Sequence, residues 1–78
     1  MAKINLIYFG SVMDITGTTA ETAEAPSTLG ELDGYLLQRY PGLSVIRYRL
    51  SVNRQLTTGD RQLADGDEIA LLPPFAGG

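Results

Sequence analysis

One segment of the chain has the spacing of an amphipathic helix, and the other apolar segments alternate with the period of β-strands. The helical segment runs from Thr28 to Tyr40 and presents one apolar stripe. Gly30 and Gly34 lie inside it, and each costs a helix about 1 kcal/mol relative to alanine. We therefore expect packing on a sheet to hold this helix. The residues of the stripe are Leu29, Leu32, Leu36, Leu37 and Tyr40.

Both ends of the predicted helix carry recognisable signals. Thr28 and Glu31 stand three residues apart, as in a capping box, in which the hydroxyl and the carboxylate bond free N–H groups of the first turn. Pro41-Gly42 directly follows Tyr40 and stops the helix. The sequence therefore predicts a single main helix with defined ends.

Strands are predicted on both sides of this helix. Ile4 to Tyr8 is apolar on both faces and predicts a central strand, whereas the more polar segment from Thr18 to Ala25 predicts an edge strand. Gly10 to Gly17, between them, predicts a loop with one helical turn. After the helix and a loop, the predicted elements are a strand over 48–52, a turn over 53–55, a short extended piece from 56, the Asp65-Gly66 turn and a last, central strand over 67–72.

This order of elements predicts the fold class. Two strands, a helix and then further strands indicate an α+β domain, and the ubiquitin-like β-grasp is the natural candidate. We expect a mixed sheet of four or five strands with one main helix packed on one face, in a single domain over 1–78. Because a chain of 78 residues buries only about 60% of its unfolded surface, the core is small.

The inventory of reactive side chains argues against an independent enzyme. The chain has no cysteine and no histidine. This excludes a thiol nucleophile, an iron–sulfur cluster, a Cys-ligated zinc and an imidazole base. We expect no bound metal and no bound cofactor.

Charge and hydropathy exclude two further classes. The net charge is −3 and the calculated pI is about 4.6, which does not suit binding to a phosphate backbone. Apolar runs are far too short to span a bilayer. We therefore expect a cytoplasmic protein that binds neither nucleic acid nor membrane.

Two clusters of charge have structural as well as functional interpretations. Asp65, Asp67 and Glu68 suggest a cation site, but they lack the remainder of a calcium loop, so a turn and the start of a strand are the simpler interpretation. The three arginines near the predicted strand over 48–52 fit a partner-facing patch and a solvated sheet face about equally well. These arginines are Arg47, Arg49 and Arg54.

The most unusual segment is the tail, residues 73–78, with the sequence Pro-Pro-Phe-Ala-Gly-Gly. Pro73 and Pro74 cannot donate to a ladder and favour an extended course, and the tail reaches at most about 20 Å. Gly77 and Gly78 carry no side chain, so the tip suits a channel that any Cβ would block. Phe75 suits a pocket at the mouth of that channel. The alternative is a frayed terminus without a function, but a stiff, apolar tail joined to a β-grasp pattern favours a functional tail.

These motifs make the chain similar to the ubiquitin-like sulfur carriers, the family of the small subunits of molybdopterin synthase and of the thiamine-pathway carriers. The resemblance runs over nearly the whole length, and the Pro-Pro tail is its most specific part. One departure is Met13, where members commonly have an arginine. The matching segments are 6–9, 11–17, 28–41, 52–53 and 63–69, followed by the tail.

The resemblance implies a carrier cycle with Gly78 as the reacting residue and Pro73, Pro74, Phe75, Ala76 and Gly77 as the segment that enters partner channels. A ubiquitin-activating-type enzyme adenylates the Gly78 carboxylate, and sulfur from a donor enzyme displaces AMP to leave a thiocarboxylate. The large catalytic subunit, in a heterotetramer of two small and two large subunits, then transfers that sulfur to the cyclic pyranopterin precursor of the molybdenum cofactor. The chain itself is a non-catalytic subunit in this cycle.

Two alternatives remain open at the level of the sequence. One is a carrier for another pathway, such as thiamine synthesis or tRNA thiolation, or a modifier that conjugates to proteins. The other is a β-grasp interaction module that binds without covalent chemistry.

Overall fold

The computed structural model describes residues 2–25, 27–57 and 59–73. Five strands form one sheet in the order β2-β1-β5-β3-β4. The prediction of an α+β fold with a mixed sheet and one main helix is confirmed. The strands are β1 (Ala2–Tyr8), β2 (Ala20–Ala25), β3 (Arg49–Val52), β4 (Gln55–Leu56) and β5 (Glu68–Leu72); the helices are α1 (Ser11–Thr16) and α2 (Leu29–Arg39), with a 3₁₀ turn over Pro41–Val45.

The two strands predicted to be central lie in the middle of the sheet. β1 pairs antiparallel with β2 and parallel with β5, and β5 pairs antiparallel with β3 on its other side. β2 forms the predicted edge but begins at Ala20, two residues after the predicted start. Gly10 to Gly17, predicted as a loop with one helical turn, forms α1. Among the helices of the described ranges, none is long and apolar enough to cross a bilayer.

The core lies between α2 and one face of the sheet. Along β1, Ala2, Ile4, Leu6 and Tyr8 are buried and alternate with more exposed residues. The predicted stripe of α2 packs against them, with Leu29, Leu32 and Leu36 buried and Leu37 and Tyr40 partly so.

The predicted capping box forms only in part. The Thr28 hydroxyl accepts the Glu31 N–H at 3.3 Å, but the Glu31 carboxylate accepts the Thr28 hydroxyl at 2.9 Å instead of a backbone N–H. The Gly30 N–H donates at 2.7 Å to Asp60, which lies thirty residues further along the chain. A loop carboxylate thus caps the helix, because the fold brings it to the positive end of the helix dipole.

Candidate functional site

The root of the predicted tail lies at the end of a central strand. β5 is hydrogen-bonded to β1 on one side and β3 on the other, and Pro73 follows it directly and is buried. Pro73 also lines an open groove between α2 and β3. The predicted tail residues Pro74, Phe75, Ala76, Gly77 and Gly78 lie outside the described residues. The predicted site therefore rests on a root that the sheet holds from both sides.

The junction between β1 and α1 packs closely against this root. The Phe9 N–H donates to the Leu71 carbonyl at 3.3 Å and extends the pairing of β1 with β5 beyond Tyr8. Gly10 follows at φ 56° and ψ −130°. A Cβ on Gly10 would lie 2.8 Å from Cγ of Pro73, a distance that real Cβ atoms do not tolerate. The glycine thus leaves room for the proline ring.

The face of the sheet opposite α2 carries an uncharged row that crosses all five strands. Directly paired residues lie on the same face of a sheet, and successive pairings link the members of this row. Leu56 in the row is 58% exposed, and Phe9, beyond the end of β1, is 44% exposed. This outer row therefore presents apolar surface mainly at its two ends, where Ala20 and Leu56 are exposed, whereas Ala70 and Ser51 at its centre are buried. Its members are Ala20, Ile7, Ala70, Ser51 and Leu56.

Two arginines flank this row at the edge where β5 ends. Arg49 pairs with Leu72, the last residue of β5, and Arg47 precedes it by two residues; both are exposed. Among the described residues neither takes part in an ion pair, whereas Arg54 approaches Glu68 at 3.7 Å. The exposure of Arg47 and Arg49 fits a partner-facing patch and a solvated sheet face alike, and the contact with Glu68 separates Arg54 from them.

The acidic turn before β5 has structural contacts. Asp65 accepts the Lys3 N–H at 2.8 Å. Asp67 accepts the Ala64 N–H at 2.9 Å and the Asn53 side-chain amide at 3.0 Å. These two hydrogen bonds lower the pKa of Asp67. The contacts support the interpretation as a turn and strand start, and within the described ranges no cluster of three acidic, cysteine or histidine residues could hold a metal ion.

A partly buried carboxylate, which the sequence interpretation missed, joins β2 to α2 on the helix side of the sheet. Glu21 accepts the hydroxyls of Tyr8 at 2.6 Å and Tyr40 at 2.7 Å, and it pairs with Arg39 at 3.0 Å. Burial favours the neutral acid, but the two hydroxyl bonds and the arginine charge outweigh it, so the pKa of Glu21 is lowered. Burial and the same carboxylate raise the pKa of Tyr8 and Tyr40. This Glu21 cluster braces the edge strand against α2.

The sequence interpretation also missed Gly10 as a partner of Pro73, because it assigned the glycine only to a loop. The outer row could not be predicted from the sequence for a related reason. Alternation shows which residues of one strand share a face, but only the register between strands aligns Ile7 with Leu56. The root is a strand held from both sides and a glycine that leaves room for the Pro73 ring, an arrangement that can hold and present a tail.

Comparisons with known proteins agree with this architecture. The ThiS family model matches residues 6–78. The molybdopterin synthase sulfur carrier subunit of Mycobacterium tuberculosis is 36% identical over 83 residues, with both chains fully covered.

Two solved structures share the fold. The complex of subunits 1 and 2 of the molybdopterin-converting factor from Helicobacter pylori contains a chain that is 30% identical, with a TM-score of 0.72 and coverage of 97% of this chain and 99% of that one. A putative molybdopterin converting factor subunit 1 from Pyrococcus furiosus has a TM-score of 0.87 at 21% identity, covering 96% and 100% of the two chains. The predicted β-grasp is confirmed by these matches.

Proposed function

This chain belongs to the ThiS family, and we infer that it is the sulfur carrier subunit of a molybdopterin synthase. The observation that carries this inference is the similarity to carrier subunits of that enzyme, at 36% identity with both chains fully covered. The tail sequence agrees, because it ends in two glycines after a paired proline. Its function is to deliver sulfur for molybdenum cofactor synthesis.

In this proposal the reacting group is the carboxylate of Gly78. A ubiquitin-activating-type enzyme joins it to the α-phosphate of ATP with release of pyrophosphate, because a carboxylate lacks a leaving group until it is adenylated. Sulfur at the oxidation level of sulfide, supplied by a donor enzyme, then attacks the acyl carbon. The bond from that carbon to the phosphate oxygen breaks, AMP leaves with the electron pair, and a thiocarboxylate and a proton are formed. The transferable sulfur is thus carried at the tip of the backbone, and the carrier needs no bound cofactor.

The chain's own contribution is to present this tip. The sheet holds β5 from both sides, so the end of the strand is a rigid base. Gly77 and Gly78 have no side chains and suit the narrow sites of two different partners. The catalytic bases belong to those partners, which makes the carrier a non-catalytic subunit, consistent with its lack of histidine and cysteine.

We further propose that the large catalytic subunit docks on the outer row beside the tail root. Leu56 and Phe9 offer apolar area there, and Arg47 and Arg49 favour carboxylates on the rim of the partner. The solved complex from Helicobacter pylori, described as subunits 1 and 2 of molybdopterin-converting factor, supports a partner of this kind. Two carriers and two large subunits then make a heterotetramer.

Deletion of Gly78 tests the carrier function. With the activating enzyme, ATP and a sulfur donor, the intact chain should gain the mass expected for exchanging one oxygen for sulfur, and the deleted chain should not. The deleted chain should still bind the large subunit through the sheet. An unchanged mass of the intact chain, or undiminished molybdopterin synthesis after deletion, contradicts the proposal.

A matched pair of substitutions tests the docking face. Leu56→Ser should weaken binding of the large subunit about tenfold or more, as expected for an interface anchor. Val45→Ser is the control, because Val45 is also an exposed apolar residue, at 83%, but lies outside the outer row. Equal effects of the two substitutions in a titration would contradict this assignment.

The rival carrier functions are separated by the acceptor of the sulfur. The pathway assignment would be wrong if the thiocarboxylated chain delivered sulfur to a thiazole precursor or a tRNA but did not, together with the large subunit, deliver it to the pyranopterin precursor. The proposed chemistry at Gly78 would still hold in that case. A covalent adduct with lysine would identify a protein modifier. A non-covalent module would survive loss of Gly78 with its activity intact.

A further inference from the structure

The connection between β1 and α1 has a backbone conformation that favours glycine. Gly10 has φ 56° and ψ −130°, a region that residues with a Cβ rarely adopt. Gly17 and Gly66 also have positive φ, at 76° and 88°, but a Cβ on either would meet nothing within 4 Å. Among these three glycines, Gly10 alone is also in close contact with another part of the chain.

That contact is with the ring of Pro73. An added Cβ would lie 2.8 Å from Cγ, 3.6 Å from Cβ and 3.7 Å from Cδ of the proline. Pro73 is buried, and it belongs to neither a strand nor a turn. Its place is therefore set by packing against the β1–α1 junction, together with the pairing of β5 up to Leu72.

The position of this ring determines where the tail begins. A proline ring fixes φ near about −65°, and a following proline, here Pro74, restricts ψ to extended values, so the direction in which the backbone leaves Pro73 follows from the seat of the ring. A misplacement of about 1 Å at a reacting group can cost a hundredfold in rate. Because the tip is joined to this root, the seat of the ring matters for alignment in a partner's site.

We propose that Gly10 is a positioning residue for sulfur transfer: its missing side chain lets the Pro73 ring seat against the β1–α1 junction, and that seat aims the tail. This rests on the proposed carrier function and adds a residue far from Gly78 in sequence. Among the described residues, the close contact through which Gly10 acts is the one with Pro73. Its substitution should therefore slow transfer without weakening docking on the outer row.

The test uses full-length thiocarboxylated carrier with the large subunit. Gly10→Ala should lower the single-turnover transfer rate about tenfold or more, by the misalignment argument above. Gly17→Ala places a Cβ at another positive φ, in the less restricted left-handed helical region, without a new contact, and should transfer at the wild-type rate. After deletion of residues 74–78, the Gly10→Ala chain should bind the large subunit as tightly as the same deletion of the wild type.

Pro73→Ala completes a double-mutant cycle with Gly10→Ala, because it removes the Cγ atom with which the added Cβ would clash. Pro73→Ala alone should slow transfer, and adding Gly10→Ala to it should cause little further loss. The proposal is overturned if Gly10→Ala transfers normally, or slows transfer equally in both backgrounds. It is also overturned if Gly10→Ala weakens binding of the large subunit in the chain that lacks residues 74–78. Should Gly10→Ala fail to fold, a normal rate for Pro73→Ala overturns it as well.

These outcomes are distinct from failure of the carrier function. If deletion of Gly78 leaves transfer intact, the carrier proposal fails. If that deletion abolishes transfer while Gly10→Ala and Pro73→Ala have no effect, only the positioning role fails.

Discussion

Replacing Glu21 with glutamine tests whether a charged carboxylate braces the edge of the sheet. The Glu21 side chain is only 18% exposed and accepts two tyrosine hydroxyls at 2.6 and 2.7 Å. Hydrogen bonds to a charged acceptor contribute about 1.5–3 kcal/mol, against about 0.5–1.5 for neutral ones. Glutamine keeps the size and one acceptor oxygen, so each hydroxyl bond weakens by about 1 kcal/mol. We therefore expect a loss of about 2 kcal/mol in the free energy of unfolding at pH 7.

The pH dependence identifies the charge as the cause. Hydrogen bonding lowers the pKa of Glu21 in the folded chain below its ordinary value of 4.5. The stabilisation is therefore fully present above that value and is lost as the pH falls through the lower, folded-state pKa. The wild type and Glu21→Gln should differ most at neutral pH, and their stabilities should converge as the solution is acidified below about pH 4.

Urea unfolding between pH 3 and 7 measures this difference, and a 2 kcal/mol loss lowers the midpoint by on the order of 1–2 M for a domain of this size. Glu24→Gln is the matched control, because Glu24 lies on the same strand, is exposed and changes the net charge equally. The reasoning is refuted if the Glu21→Gln deficit is constant across this pH range. It is equally refuted if Glu24→Gln costs as much.

Two further substitutions test local backbone effects by urea unfolding. Gly34→Ala should stabilise the chain by about 1 kcal/mol, because a Cβ there meets nothing within 4 Å. Gly30→Ala should stabilise it less, because its Cβ would lie 3.3 Å from the Asp60 carboxylate that caps the helix. Equal gains in stability would contradict the capping role of Asp60. Arg54→Gly should stabilise by about 1 kcal/mol, because Asn53 and Arg54 both have positive φ, 51° and 70°, in a turn that prefers Asn-Gly; an equal gain from Arg54→Ala would show that the backbone conformation is not the cause.

The parts of this fold that could be predicted are those that depend on residues close together in the sequence. Thr28, Pro41 and the leucine spacing between them give the helix, because capping and periodicity depend on residues a few positions apart. The cap of Gly30 by Asp60 and the pairing of β1 with β5 join residues far apart in the chain. No pattern within one segment records such contacts, which explains why the partial capping box and the order of the strands were not predicted.

The candidate site also has one part that depends on neighbouring residues and one part that depends on distant residues. The tail motif is local, so its composition already predicts a slender reactive tip. The seat that supports the tip is not local, because Gly10 and Pro73 stand at opposite ends of the sequence and meet only once β1 lies parallel to β5. A parallel pair needs a long crossover between its strands, and here the crossover contains α2 and most of the core. Packing of the core therefore brings Gly10 to Pro73, so a core substitution that shifts β1 relative to β5 should impair sulfur transfer before it unfolds the chain.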